Sequence, residues 1–252
     1  MASTVKETLK NIMNAIFVKW GNFLFHTRNV LFPLITLSLL LIWPPVALEG
    51  RPSLSLLWVG LAMVAAGQGL RVLTIGLDYI IRGGRNRRVY AERLVTGGIF
   101  AHCRNPLYVG NLLIASGFLC VAGNPLGIII GSLVFLAAYR LIVCCEEAFL
   151  ENKFGQEYRD FCTSVPRWIP RLRGLGKTMA DYDFNWATVV VKEYGTLMTS
   201  LMVPLGLITW KLHLANKLGD YAFLLGITAL CIMSAYGYAR FLKKTGRIEN
   251  PR

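Results

Sequence analysis

Apolar residues gather into six runs that reach or approach the thickness of a bilayer: Val30–Leu48, Leu54–Leu77, Leu107–Ala122, Pro125–Cys145, Leu197–Leu212 and Tyr221–Leu242. A spanning helix takes about 20 mainly apolar residues, with about 17 as the lower end, so the pattern predicts six transmembrane helices. The third run is the shortest, and only Gly123-Asn124 separates it from the fourth, which predicts a tight helical hairpin. Residues 5–26 differ. Ile12, Ile16, Phe17, Trp20 and Phe23 recur at spacings of three and four, with Lys6, Lys10 and Lys19 elsewhere on the wheel. That periodicity predicts an amphipathic helix lying in the membrane interface, the alternative being a lead-in to the first span. It is not the pattern of a cleaved signal peptide, because no small-residue cleavage site follows a compact apolar core.

The expected fold is therefore an all-α integral membrane protein with about six spans and an N-terminal interfacial helix. Residues 1–29 form that helix, and 30–172 form a four-span core with its cytoplasmic segment. Residues 173–196 connect the core to a C-terminal pair of spans and a basic tail at 197–252.

Composition agrees. The 252 residues are 54% hydrophobic and 16% charged, with mean hydropathy +0.48. Soluble domains carry about 25% charged residues, and disordered chains are less apolar still. The net charge of +13 needs no nucleic-acid partner once its distribution is followed. Of 27 lysines and arginines, Arg51 and Lys217 fall in the loops after the first and fifth runs, and Lys211 stands at the end of the fifth run itself. Arg71, Arg140 and Arg240 fall within or at the edge of runs. The other 21 lie in the N-terminal segment, the 78–106 loop, the 146–196 segment and the C-terminal tail. Six spans put these four regions on one side, and the positive-inside rule makes that side cytoplasmic, both termini included. Six cysteines without a CxxC pair and three scattered histidines give a metal site nothing to build on. Neither a Walker-type phosphate loop nor a GxGxxG turn is present.

Two cytoplasmic segments carry more polarity than spans require. The first runs from Thr96 to Asn111. Gly97-Gly98 permits a tight turn, Pro106 suits the first turn of the third helix, and Asn105 becomes its N-cap. Such a segment is either a well-made helix start or a set of free N–H groups that face an anionic ligand. The second runs from Tyr139 to Gly155. Arg140 sits about four residues inside its span, where an ionisable group is costly unless paired or facing a cavity. Glu147 lies two helical turns further, near the same face, with Glu146 beside it. Either Arg140 snorkels and the glutamates are solvated, or the three shape a polar pocket at the membrane surface. Downstream, Pro166 and Pro170 forbid a continuing helix, so the chain turns back across the cytoplasmic face. Arg167 and Arg171 there either bind lipid phosphate or set topology.

The order Gly97-Gly98, Arg104-Asn105-Pro106-Leu107-Tyr108-Val109-Gly110, hairpin, Glu146-Glu147-Ala148-Phe149-Leu150, Phe154-Gly155-Gln156-Glu157-Tyr158 and Val165-Pro166-Arg167 resembles the membrane methyltransferases. That superfamily includes isoprenylcysteine carboxyl methyltransferases and phospholipid N-methyltransferases. The likeness covers roughly residues 54–172, and its strength lies in the order and spacing of motifs that are each weak alone. Two departures concern the substrate: Asn105 stands where isoprenylcysteine enzymes usually have histidine, and the last two spans lie outside the shared core. The resemblance implies S-adenosylmethionine as cofactor and a lipidic or prenylated acceptor. Carried over by position, Arg104, Asn105, Tyr108 and Gly110 would line the cofactor's amino-acid end. Glu146 and Glu147 would meet its ammonium or ribose hydroxyls. Arg140 would stand near the acceptor, with Glu147 available as general base for an amine. Arg167 and Arg171 are the candidate substrate-binding residues. Two other readings stay open: an NADPH-dependent membrane sterol or steroid reductase, which the paired glutamates disfavour, and a non-catalytic lipid-binding scaffold.

Overall fold

The computed structural model describes residues 2–78 and 91–248, with side chains from Met13 onward except Asn14. The side chains of Lys6, Lys10 and Ile12 of the amphipathic helix, and the whole of Arg82, Arg85, Arg87 and Arg88 of the basic loop, lie outside what is described. Every regular element among the described residues is helical. The helices are α1 (Ala2–Ile42), α2 (Gly50–Leu77), α3 (Pro106–Ala122), α4 (Pro125–Phe154), α5 (Gln156–Ser164), α6 (Leu175–Asp181), α7 (Trp186–Leu214) and α8 (Leu218–Lys244). A 3-10 turn at Gly98–Ala101 precedes α3. By length and composition, α2, α4, α7, α8 and the Ala15–Ile42 part of α1 can cross a bilayer, and the 17-residue α3 is a shorter apolar helix. The chain is a multi-pass membrane protein of five to six apolar helices.

Two boundaries differ from the expected ones. No break separates an interfacial helix from the first span, because α1 runs unbroken from Ala2 to Ile42. Ile16, Phe17, Trp20 and Phe23 are exposed along this one helix, so the apolar stripe and the first span belong to one continuous element. The connector is also shorter than expected. It holds α6, and α7 starts at Trp186, eleven residues before the apolar run, with the side chain of Asn185 accepting from the Thr188 amide as its cap.

Glycine decides how closely α2 and α3 approach. A Cβ on Gly60 would lie 2.7 Å from the Gly117 carbonyl oxygen, and one on Gly67 would lie 2.6 Å from that of Gly110. Each pair is seven residues from the next, so two backbone contacts two turns apart hold the antiparallel helices together. Residues from α1 to α4 and α7 then fill two apolar clusters, one around Leu57, Val64, Phe118 and Leu207, the other around Phe25, Phe135, Tyr139 and Ile142.

The contacts also fix which ends lie together. Gly21 of α1 packs on Leu141 and Cys145 of α4, while Trp43 packs on Gly127. The Asn185 amide donates to Gly76 at the end of α2, and Lys243 of α8 lies over the Tyr194 ring of α7. Hence the start of α3, the ends of α2 and α4, the start of α7 and the end of α8 share one end of the bundle. At the opposite end the α3–α4 hairpin turns at Gly123, whose φ of +86° suits glycine alone. There the fully buried ammonium of Lys211 donates to the Ala122 carbonyl, a cation at a helix C-terminus.

Candidate functional site at the shared end of the bundle

Three segments remote in sequence meet where α3 begins. Residues 102–105 lie beside 166–171: the Arg104 amide donates to the Pro166 carbonyl, and the Arg171 amide to that of His102. Pro166 and Pro170 keep the second segment out of a helix, so its backbone is free to pair in this way. The His102 ring fastens it further, with Nδ1 donating to the Arg171 carbonyl at 2.8 Å and Nε2 bonded to Thr178 Oγ1 of α6 at 2.8 Å. Gly98, at φ +54°, makes the turn that delivers this segment. Asn105 occupies the N-cap position, but its side chain does not cap: Nδ2 donates to the Arg167 carbonyl at 3.2 Å. Asn105 therefore joins two segments instead of ending one helix.

The paired glutamates of α4 stand against this start. Glu147 Oε1 accepts from Arg104 Nη1 at 3.2 Å and Arg167 Nε at 2.9 Å, and Arg167 Nη2 closes on Oε2. This carboxylate bridges two guanidinium groups. Its hydrogen bond raises the Arg167 side chain above its usual value. Glu146 accepts from the Tyr108 hydroxyl at 2.7 Å, and Arg28 of α1 donates to the same hydroxyl at 3.2 Å. Tyr108 in turn packs on Tyr139, ring centroids 5.4 Å apart. Arg104 also reaches Cys162 Sγ of α5 at 2.8 Å, while its Nε is buried and lacks an acceptor among the described residues. Burial pushes the neighbouring Tyr158 phenol well up, and the Glu147 charge adds to it. Cys103, fully buried against the Arg167 and Trp168 carbonyls, is likewise pushed up by burial.

Of the residues singled out in the sequence, Arg104, Asn105, Tyr108, Glu146, Glu147 and Arg167 come together. Three do not. Arg140 is exposed and ends the outward stripe Leu126, Ile129, Leu133 and Leu136, at alternating spacings of three and four. Among the described residues nothing covers Arg140, whereas two turns on the 166–171 segment covers Glu147. Among the described residues, Arg140 and the glutamates therefore do not line a common pocket. Gly110 faces α2, where a Cβ would lie 2.6 Å from Arg71 Cγ, so it serves helix packing. Arg171 joins the site through its backbone, and its side chain is exposed.

The sequence reading missed Arg28, which lay in the presumed interfacial helix. It also missed a buried network next to the site. Arg71 of α2 is 4% exposed and pairs with Glu193 of α7, 1% exposed, at 2.8 Å. Arg71 also bonds Asn111, Gln68 bonds Glu193, and Ser200 bonds Gln68. A signal was available: Arg71 is the one charge inside its apolar run, and an opposite charge elsewhere in the bundle must answer it.

Comparison with known proteins bears on the same stretch. The phospholipid methyltransferase family matches residues 55–157. A protein-S-isoprenylcysteine O-methyltransferase of Schizosaccharomyces pombe is 35% identical over 109 residues, 43% of this chain and 42% of the relative. The enzyme of that name in Mus musculus is 32% identical over 124 residues, 46% of this chain and 42% of the relative. A probable one in Oryza sativa subsp. indica is 31% identical over 120 residues, 45% and 60% respectively. The chain thus spans about half the length of the relatives it matches. No solved structure matches it. The matched stretch contains α3, α4 and the clustered residues Arg104, Asn105, Tyr108, Glu146 and Glu147, and through it the chain is related to the membrane methyltransferase superfamily.

Proposed function

We propose that this protein is an S-adenosylmethionine-dependent methyltransferase working at the cytoplasmic membrane face on a lipidic or prenylated acceptor. The observation that carries the reading is the closure of the Arg104–Tyr108 segment onto Glu146 and Glu147 at the shared end of the bundle. Depth supports it. From Pro106, α3 rises about 26 Å to the hairpin, and Glu146 lies about 32 Å along α4 from the same turn. With a hydrocarbon core of about 30 Å, the cluster sits at the boundary where a lipid tail stays in the bilayer and its head leaves it. The described parts of the basic regions, among them Arg93, Arg104, Arg167, Lys192 and Lys243, lie toward this end, which supports its being cytoplasmic.

The residues present fit the cofactor. Arg104 Nε is a buried donor without an acceptor among the described residues, and the cofactor's carboxylate is an acceptor of opposite charge. Glu146, whose carboxyl accepts from Tyr108 alone among the described residues, is the group that would meet the cofactor's ammonium. When bound, S-adenosylmethionine supplies a methyl group on a cationic sulfur. The chain's own part is to align the acceptor with that group and to exclude water. Tyr108, held between Glu146 and Arg28, fixes the orientation of the Glu146 carboxylate. Both oxygens of Glu147 are already engaged by arginines, so its contribution is to hold Arg104 and Arg167 in place. Arg140 faces outward from α4, where it would meet an anionic acceptor head arriving from the lipid.

Ligand-dependent melting of the detergent-purified protein tests this. A ligand that binds only the folded state must raise its apparent stability. S-adenosylhomocysteine is expected to raise the melting temperature of the wild type, NADPH to leave it unchanged, and Glu147→Ala to remove the shift. A shift with NADPH alone would establish a reductase in its place, and none with either would leave a scaffold.

A further inference from the structure

The segment that closes the site has a second face. Between α5 and α6, Trp168 turns inward onto the Phe25–Tyr139 cluster, whereas Ile169 and Leu172 are 81% and 78% exposed. They are among the most exposed large apolar side chains in the molecule, yet they lie on a loop and not on a spanning helix. Arg171, Arg173 and Lys177 beside them are exposed too. From Val165 to Ala180 the sequence contains no carboxylate, and Asp181 and Asp183 come only after it.

The level of this loop is fixed by its backbone. It is hydrogen-bonded to residues 102–105, immediately before Pro106, and α3 places Pro106 about 26 Å from the far surface. In a hydrocarbon core of about 30 Å that is the headgroup boundary. Apolar side chains flanked by arginine and lysine at that depth match an interfacial anchor, in which the apolar groups enter the acyl boundary and the cations meet anionic headgroups.

We propose that residues 168–177 form an anionic-lipid-binding surface. Ile169 and Leu172 insert beside the bundle, and Arg171, Arg173 and Lys177 bind lipid phosphates. The same loop carries Arg167, whose guanidinium closes on Glu147, and its backbone accepts from Asn105. Lipid charge thereby stabilises the closed site. This surface does not depend on which reaction the site performs.

Hydrogen exchange of the full chain in lipid nanodiscs tests the proposal without any activity measurement. Peptides covering 167–178 should exchange roughly fivefold or more slowly when about a third of a zwitterionic lipid is replaced by phosphatidylserine, a factor of the order that one basic side chain gains at an anionic surface. Peptides from the α3–α4 hairpin turn, at the opposite end, should not change. An Arg173→Gln/Lys177→Gln variant should lose most of the difference between the two lipids. Leu172→Ser should speed exchange in both. Equal exchange of wild-type 167–178 in the two lipids would overturn the proposal. So would slowing by soluble polyglutamate but not by phosphatidylserine, which would assign the surface to an acidic protein.

Discussion

At the scale of single residues, the bundle depends on charges buried where water cannot reach them. Arg71 and Glu193 are the clearest pair, and Asn111, Gln68 and Ser200 complete their hydrogen bonds. Removing one partner of such a pair leaves an uncompensated charge and costs about 3–5 kcal/mol, while replacing both by apolar groups of similar volume is far less harmful. Arg71→Met should therefore lower the melting temperature in detergent markedly, and Arg71→Met/Glu193→Met should recover much of the loss. A single variant as stable as the wild type would mean that the pair contributes nothing. Titration offers a second test. Burial raises Cys103 above its ordinary 9.0 and Tyr158 well above its ordinary 10.0. Both stay protonated in the fold while the unfolded chain releases its protons. Their contribution is complete below about pH 9 and falls as pH rises further. Melting temperature should decline above that pH, and less steeply in Cys103→Ala. An identical slope in the variant would remove Cys103 from the account.

At the scale of elements, α2 and α3 are held by backbone proximity. Without a hydrophobic driving force between helices in lipid, small residues that admit close approach decide which helices associate. Gly67→Ala puts a methyl group 2.6 Å from the Gly110 carbonyl oxygen, and Gly69, on the same helix, has nothing within 4 Å. The first substitution should destabilise by about 1–3 kcal/mol through overpacking. Gly69→Ala should be neutral or stabilise by up to about 1 kcal/mol through helix propensity. Comparative melting of the two variants checks this, and equal effects would show that the close approach is not maintained. The same contact explains Gly110. It sits in a motif that resembles a cofactor site, but its missing side chain makes room for Gly67 and the Arg71 stem.

At the scale of the whole molecule, α7 belongs to the core although it lies outside residues 55–157, the stretch that the phospholipid methyltransferase family matches. It pairs with α2 through Glu193 and Ser200, and Lys211 ties it to the end of α3. In contrast, α8 contributes no buried residue and packs along α7. The C-terminal pair of spans therefore divides, with one helix integral to the bundle and one on its perimeter.

The number of apolar helices, the tight hairpin, the gathering of basic residues into four segments and the segments that build the candidate site are all legible along the chain. Each depends on local properties: run length, a glycine-asparagine turn, proline spacing and the distribution of lysine and arginine. Tertiary structure alone decided which faces are covered. Arg140 and Glu147 lie near one helix face, but the 166–171 segment reaches only Glu147, so one is exposed and the other is clamped. Asn105 was legible as an N-cap position, yet its side chain turns to the Arg167 carbonyl because a segment sixty residues away lies beside it. The Arg71–Glu193 pair and the place of Arg28 beside Tyr108 likewise depend on helices separated by 122 and 80 residues. Periodicity shows that a charge lies within a span. Only the assembled bundle shows which partner neutralises it.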